Sequence, residues 1–205
     1  MRNKLLIIGA GGHGRVIADI ALQMEKWKSI GFLDDSNTKP YMGLHVLGTT
    51  QNLSEYIDEY EIIVGIGDNS KRKEVNDLIE SFGAEIPVLI HPNAVIGSQV
   101  VLGMGTVVMA GVVVNCCSVI GKGCIINTGS TIDHDNSIED FVHISPGVHL
   151  AGSVNVGYGS WLGIGSVVSN NIKINNNCIL GAGSVVVKDI TEAGVFAGIP
   201  AKRLK

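Results

Sequence analysis

Counting in sixes from Ile96 gives Ile96, Leu102, Val108, Val114, Ile120, Ile126, Ile132, Ile138, Ile144, Leu150, Val156, Leu162, Val168, Ile174, Leu180 and Val186, an aliphatic residue at every step. An ordinary β-sandwich does not give this pattern, because its strands alternate with period two and turn at irregular spacing. A period of six marks a β-solenoid, in which each hexapeptide supplies one short strand and one corner. Three corners close a triangular coil of about 18 residues. Each aliphatic residue then points into the prism and stacks on its equivalent one coil away. Four residues after each comes a smaller set, including Thr106, Ser118, Cys124, Ser130, Asn136, Val148 and Ser184. The residue directly after the aliphatic is often Gly, Asn or Asp, as at Gly97, Gly103, Asn115, Gly121, Asn127 and Asp133. These types tolerate positive φ, and we read them as the turn positions.

The first ninety residues follow another rhythm. "KLLIIGAGGHGRVIADIALQ" reads as strand, glycine turn and helix, and "SIGFLDDS" as a second strand ending in two aspartates. "EIIVGIGDN" is a third strand with its own glycine turn, "SKRKEVNDLIESFG" an amphipathic helix, and "EIPVLIHP" a last strand. Strands alternating with helices predict a small parallel α/β domain. The sequence thus divides into an α/β domain over 1–90 and a solenoid with a C-terminal tail over 91–205.

Gly9, Gly11 and Gly14 match the dinucleotide fingerprint, with Asp34 and Asp35 about twenty residues on. A full dinucleotide fold needs two mononucleotide halves, and only about one precedes the solenoid. The segment therefore reads as half a Rossmann-like sheet binding one nucleotide. Its glycine turn offers N–H groups at a helix start, which suits a phosphate. The aspartates can accept hydrogen bonds from a ribose or a base. His13 either donates to a diphosphate or caps the turn. An unliganded tight turn is the plain alternative.

Several function classes recede. A net charge of −4 gives no electrostatic case for nucleic acid or an anionic membrane. No apolar run approaches the roughly 20 residues that span a bilayer, and no signal peptide is visible. The cysteines Cys116, Cys117, Cys124 and Cys178 lack CxxC spacing, so they read as core or turn residues of a cytoplasmic protein. No Ser-His-Asp or Cys-His set at motif spacing suggests a covalent nucleophile.

The pieces "GAGGHG", "FLDD", "IGDN", "NTGSTIDHD", "HISPGVHLAGSVNVG" and "AGIPAKR" together resemble the hexapeptide-repeat acyltransferases of the sialic-acid O-acetyltransferase type. Within that group the chain is most similar to the UDP-4-amino-sugar N-acetyltransferases of the bacillosamine pathway. The resemblance implies a left-handed parallel β-helix, a homotrimer, and acetyl-CoA as acetyl donor in a cleft between neighbouring prisms, with no metal. It implies that Gly11, Gly12 and His13 meet the diphosphate of a UDP-sugar, with Asp34 and Asp35 near the uridine and Gly67 on the third strand's turn. His134 matches the general base, while His143, Gly152, Ile164 and Ala182 match positions near acetyl-CoA. Asp135 stands where a glutamate is usual, and Ala182 where a glycine is common.

His134 lies two residues after inward Ile132, which puts it on an outward corner. A polar residue at a solvated corner is ordinary in its own right. Gly152 is one coil above, where a glycine leaves room for a thioester and its N–H could meet an oxyanion. His143 is half a circuit from His134, so the two point apart on one prism. An imidazole with an ordinary pKa near 6.5 can take a proton from an attacking amine. Either Asp135 or Asp133 could orient it. Three rivals remain at this stage: a sugar O-acetyltransferase using the same base, a non-catalytic nucleotide-sugar-binding module, and a zinc enzyme using His134, His143 and His149. Their coil positions do not let those three histidines converge on one chain.

Overall fold

The computed structural model describes residues 2–204. The chain forms two compact units, Met1–Pro92 and Asn93–Lys205.

In the first unit, β1 (Lys4–Ile8), β2 (Ser29–Leu33), β3 (Val46–Gly48) and β4 (Glu61–Val64) form a parallel sheet of order β3-β2-β1-β4. β3 and the 3-10 turn Thr50–Glu55 carry too few apolar residues to give a readable period. Helix α1 (Gly12–Gln23) follows β1, and α2 (Asn69–Ser81) follows β4. Asp68 caps α2 by accepting from the Lys71 N–H at 2.8 Å, which satisfies one of the helix's orphan donors. The strands are apolar on successive residues because both faces are covered. Leu6, Ile8, Leu33, Leu53, Ile62, Val64 and Ile79 form one of the buried clusters. The expected last strand shortens to Leu89–Ile90 and does not join this sheet.

The second unit is a left-handed parallel β-helix. Its strands are mostly two residues long and pair in 18-residue register on three faces, shortening to 16 at the last coil. The first face holds Val113–Val114, Thr131–Ile132 and His149–Leu150. The second holds Val119–Ile120 and Ser137–Ile138, and the third Ile125–Ile126, His143–Ile144 and Trp161–Leu162. In most coils the second strand residue is the aliphatic of the six-fold count. Ile126, Ile132, Ile144 and Leu162 are fully buried, each burial contributing about 1.5–3 kcal/mol relative to exposure. The small set is buried too, with Ser118, Ser130, Ser160 and Ser184 at 0% exposure.

The turn chemistry differs from the sequence reading. Positive φ falls three residues after the aliphatic, at Gln99, Gly105, Gly111, Cys117, Gly123, Gly129, Asp135 and Phe141, not on the residue directly after it. The glycines directly after the aliphatic serve another purpose. A β-carbon on Gly103 would lie 2.5 Å from the Gly121 carbonyl carbon, and one on Gly163 2.4 Å from the Leu180 oxygen. Those glycines allow adjacent coils to approach.

Candidate functional site

The corner between the first and second faces carries "DHDN". His134 protrudes there with its side chain 53% exposed. Its backbone is held on all sides. The His134 N–H donates to Asp133 Oδ1 at 2.8 Å, and the His134 carbonyl accepts from the Ser153 N–H at 3.0 Å. Asn115 Nδ2 donates to the same Asp133 oxygen at 2.8 Å. The Asp135 N–H donates to the Cys116 carbonyl at 3.2 Å. Asp135 takes φ 57°, a left-handed conformation that Asp tolerates better than most residues. That twist swings its carboxylate back onto the ring.

The two aspartates therefore divide the work. Asp135 Oδ2 lies 2.7 Å from His134 Nδ1, whereas Asp133 engages the backbone. The shorter carboxylate is long enough because the left-handed turn closes the distance. The His134 pKa is raised, first by the hydrogen bond to Asp135 and then by the Asp133 charge, against a small opposing effect of burial. Asp133 is held below the usual carboxylate value by Asn115 and by the His134 N–H. With Nδ1–H donated to Asp135, neutral His134 presents an unprotonated Nε2.

Gly152 stacks on His134, as the register predicts. A β-carbon there would lie 2.6 Å from Cε1 and 2.7 Å from Nε2. The missing side chain admits the imidazole itself. Among the described residues the Gly152 N–H donates to no acceptor.

His143 lies elsewhere, on the third face. It stacks on Trp161, with centroids 5.9 Å apart and planes at 9°, and its Nε2 is 3.2 Å from Asn127 Nδ2. Trp161 donates its indole N–H to Ser145 Oγ at 2.8 Å. Ile164 and Ala182 lie together along the corner between the third and first faces, and Ile164 is 58% exposed. The named residues thus fall at separate places on one prism: His134, Asp135 and Gly152 at one corner, His143 on the third face, and Ile164 and Ala182 at the corner that follows that face. His149 bonds Thr131 Oγ1 through Nδ1 at 2.8 Å. No cluster of three His, Cys, Asp or Glu side chains able to hold a metal occurs among the described residues. Sequence reasoning missed Trp161, although it is 18 residues after His143 and outward in the same column.

The first unit has a cleft of about 430 Å³ lined by Gly11, Gly12, His13, Asp34, Asp35, Thr50, Gly67 and Lys71, among others. All six residues expected there are present. Gly11 and Gly12 have nothing within 4 Å of an added β-carbon, so their backbone is open. Gly14 is needed for packing instead: a β-carbon there would overlap the Gly9 carbonyl oxygen at 1.8 Å.

The aspartates also serve the fold. Asp34 accepts from the N–H groups of Ala10, Ser36 and Asn37 at 2.7–2.8 Å. Burial pushes its carboxyl up, but those bonds outweigh it and hold the pKa below the ordinary value. Asp35 accepts from the Thr50 N–H and hydroxyl, each at 2.8 Å. Each carboxylate thus ties the end of β2 to a second loop, a role beyond ligand binding. Two further groups were missed. Lys71 brings a cation to the cleft, and buried Arg72 fixes the Gly67 turn by donating to its carbonyl at 2.9 Å. Neither follows from periodicity.

Comparison with known proteins places this geometry in context. Residues 4–79 match the PglD N-terminal domain family. The acetyltransferase domain of PglB from Neisseria gonorrhoeae FA1090, solved in complex with acetyl coenzyme A, is 39% identical, with 100% of both chains covered and a TM-score of 0.97. This chain belongs to the hexapeptide-repeat acetyltransferases. A second member of that family, a histidine-to-asparagine variant of perosamine N-acetyltransferase from Caulobacter crescentus, was solved with CoA and GDP-perosamine. It is 34% identical, with 98% of this chain and 97% of that one covered and a TM-score of 0.94. WeeI from Acinetobacter baumannii AYE shares the fold at 24% identity, with 98% and 99% covered and a TM-score of 0.91. No helix among the described residues of this family member is long and apolar enough to cross a membrane.

Proposed function

We propose that this chain transfers the acetyl group of acetyl-CoA to the amine of a UDP-linked 4-amino-4,6-dideoxy sugar, with His134 as general base. The observation that carries the reading is the His134–Asp135 pair at 2.7 Å on an exposed corner, which engages Nδ1 and leaves Nε2 beside Gly152. The relatives solved with acetyl-CoA, or with CoA and a GDP-linked amino sugar, support the substrate class.

The chemistry follows from the residues. His134 Nε2 takes a proton from the sugar amine as nitrogen attacks the thioester carbon, and Asp135 stabilises the imidazolium that forms. The Gly152 N–H, without another acceptor, is placed to meet the developing oxyanion. Acetyl-CoA supplies the thioester, and CoA thiolate leaves as the tetrahedral centre collapses. The exposed faces of Trp161 and Ile164 suit the apolar stretches of CoA.

His134 sits at a corner of the prism and the His143–Trp161 stack on its third face. A homotrimer would set one subunit's His134 edge against a neighbour's third face, so we assign acetyl-CoA to that junction. The cleft of the first unit would hold the nucleotide, with the Gly11–Gly12 backbone, His13 and Lys71 toward the diphosphate. Asp34, Asp35 and Gly67 would line the rest.

Thiol release from acetyl-CoA, measured with UDP-linked and GDP-linked 4-amino sugars and with hydroxyl acceptors, tests the proposal. Turnover with the UDP-amino sugar is expected. Preference for the GDP sugar would move the nucleotide, turnover only with a hydroxyl would make the protein an O-acetyltransferase, and nucleotide-sugar binding without any turnover would make it a binding module.

A further inference from the structure

Asn136 departs from the pattern of the prism. Successive coils place Ser118, Asn136, Val154 and Ile172 at this inward position, all of them buried. The Asn136 Nδ2 donates to three carbonyls: Asp133 at 2.7 Å, Ala151 at 3.0 Å and His134 at 3.2 Å. Its Oδ1 is buried with no partner among the described residues. The orientation is fixed by the surroundings, since turning the amide over would point its oxygen at three carbonyls.

An unpartnered buried carbonyl carries a desolvation cost. The coil does not require it, because Ser, Val and Ile fill the same place in neighbouring coils. The amide does something none of them can. It grips both carbonyls that flank the His134 corner and ties them to Ala151, directly before Gly152. The two backbone segments that enclose the imidazole are joined from inside the prism.

We propose that Asn136 is a positioning residue for acetyl transfer: it locks the corner so that the His134 ring sits between Asp135 and Gly152. It does not touch substrate, and the inference rests on His134 being the base.

Asn136→Val and Asn136→Ser test it, since both residue types already occupy this column. Ser118 donates its hydroxyl to the carbonyl of Asp133 at 2.9 Å, 15 residues ahead. By the same register the serine variant regains the bond to Ala151 but not the grip on Asp133 and His134. Both variants should keep their thermal unfolding midpoints and the KM values for both substrates, while kcat falls about 10- to 100-fold. The acid limb of kcat should also move toward the ordinary imidazole value as the Asp135 contact loosens. The titratable groups around His134 are Asp133, Asp135 and, one coil below, the thiols of Cys116 and Cys117.

Wild-type kcat and acid limb in Asn136→Ser would overturn the inference and leave the amide as an inter-coil tie. A fall in kcat only in step with lost unfolding stability would overturn it as well. His134→Ala is run alongside. If that variant keeps full activity, the base reading fails and takes this inference with it. If it is inactive while the Asn136 variants match wild type, this inference alone fails.

Discussion

A β-carbon on Gly152 would sit 2.6 Å from the Cε1 atom of His134, one coil below. The glycine and the histidine are thus a pair, eighteen residues apart in sequence and in contact in the prism. Gly152→Ala should leave the coil folded, because the backbone there has no positive φ. The methyl group must push the ring aside. We expect kcat to fall about 100-fold with an unchanged circular dichroism spectrum. Wild-type turnover would show that ring position is not critical.

Asp135 raises the pKa of His134, so the imidazole is protonated to a higher pH than an ordinary one. A general base must be neutral, and the acid limb of kcat/KM should therefore lie above pH of about 6.5. Asp135→Asn removes the charge and keeps a residue that tolerates the left-handed turn. The limb should then move to lower pH, and kcat should drop because the tautomer is no longer fixed. A pH–rate profile of both proteins checks the direction.

Asp34 holds the glycine turn to the end of β2 through the Ala10 N–H and shapes the loop after β2 through the N–H groups of Ser36 and Asn37. Asp34→Ala strands those donors, with an expected loss of about 1–3 kcal/mol and a higher KM for the nucleotide sugar. The Asp34 pKa is depressed in the folded state. Its contribution is therefore present above the unfolded value near 3.9 and is lost as pH falls through the folded value. The gap in urea midpoint between wild type and variant should be wide at neutral pH and narrow in acid.

The two kinds of corner glycine should respond differently to alanine. Gly163→Ala forces a β-carbon against the Leu180 oxygen at 2.4 Å, a backbone clash that we expect to cost about 1–3 kcal/mol or more. Gly129→Ala meets nothing within 4 Å but sits at φ +65°, where the conformational penalty is about 1–2 kcal/mol. Thermal unfolding of the two variants should show the larger loss for Gly163→Ala.

The solenoid was legible because every sixth residue must fill the prism, so Ile132 and its equivalents carry the period in their side chains. The corner of His134 was legible for the same reason. The choice between Asp133 and Asp135 was not, because it depends on the positive φ of Asp135, which one more aspartate in "DHDN" does not reveal. The role of the glycines directly after the aliphatics was misread as turn chemistry, since sequence does not show how closely Gly103 approaches Gly121. In the first unit, the fingerprint glycines and aspartates indicated the cleft. Lys71 and Arg72 stayed hidden because a charged helix face looks the same whether it meets solvent or lines a cleft. Asn136 was counted only among the smaller residues of the repeat, because its three acceptors come from two coils and no spacing shows them.

Single-turnover acetyl transfer by wild type and His134→Ala with a UDP-4-amino sugar, alongside equilibrium binding of both substrates, tests His134 as the general base most directly. With His134 as base, the alanine variant should lose about 10²–10⁴-fold in the chemical step, with both substrates still bound at wild-type affinity. Transfer at the wild-type rate by the alanine variant would contradict it and reduce His134 to an ordinary solvated corner.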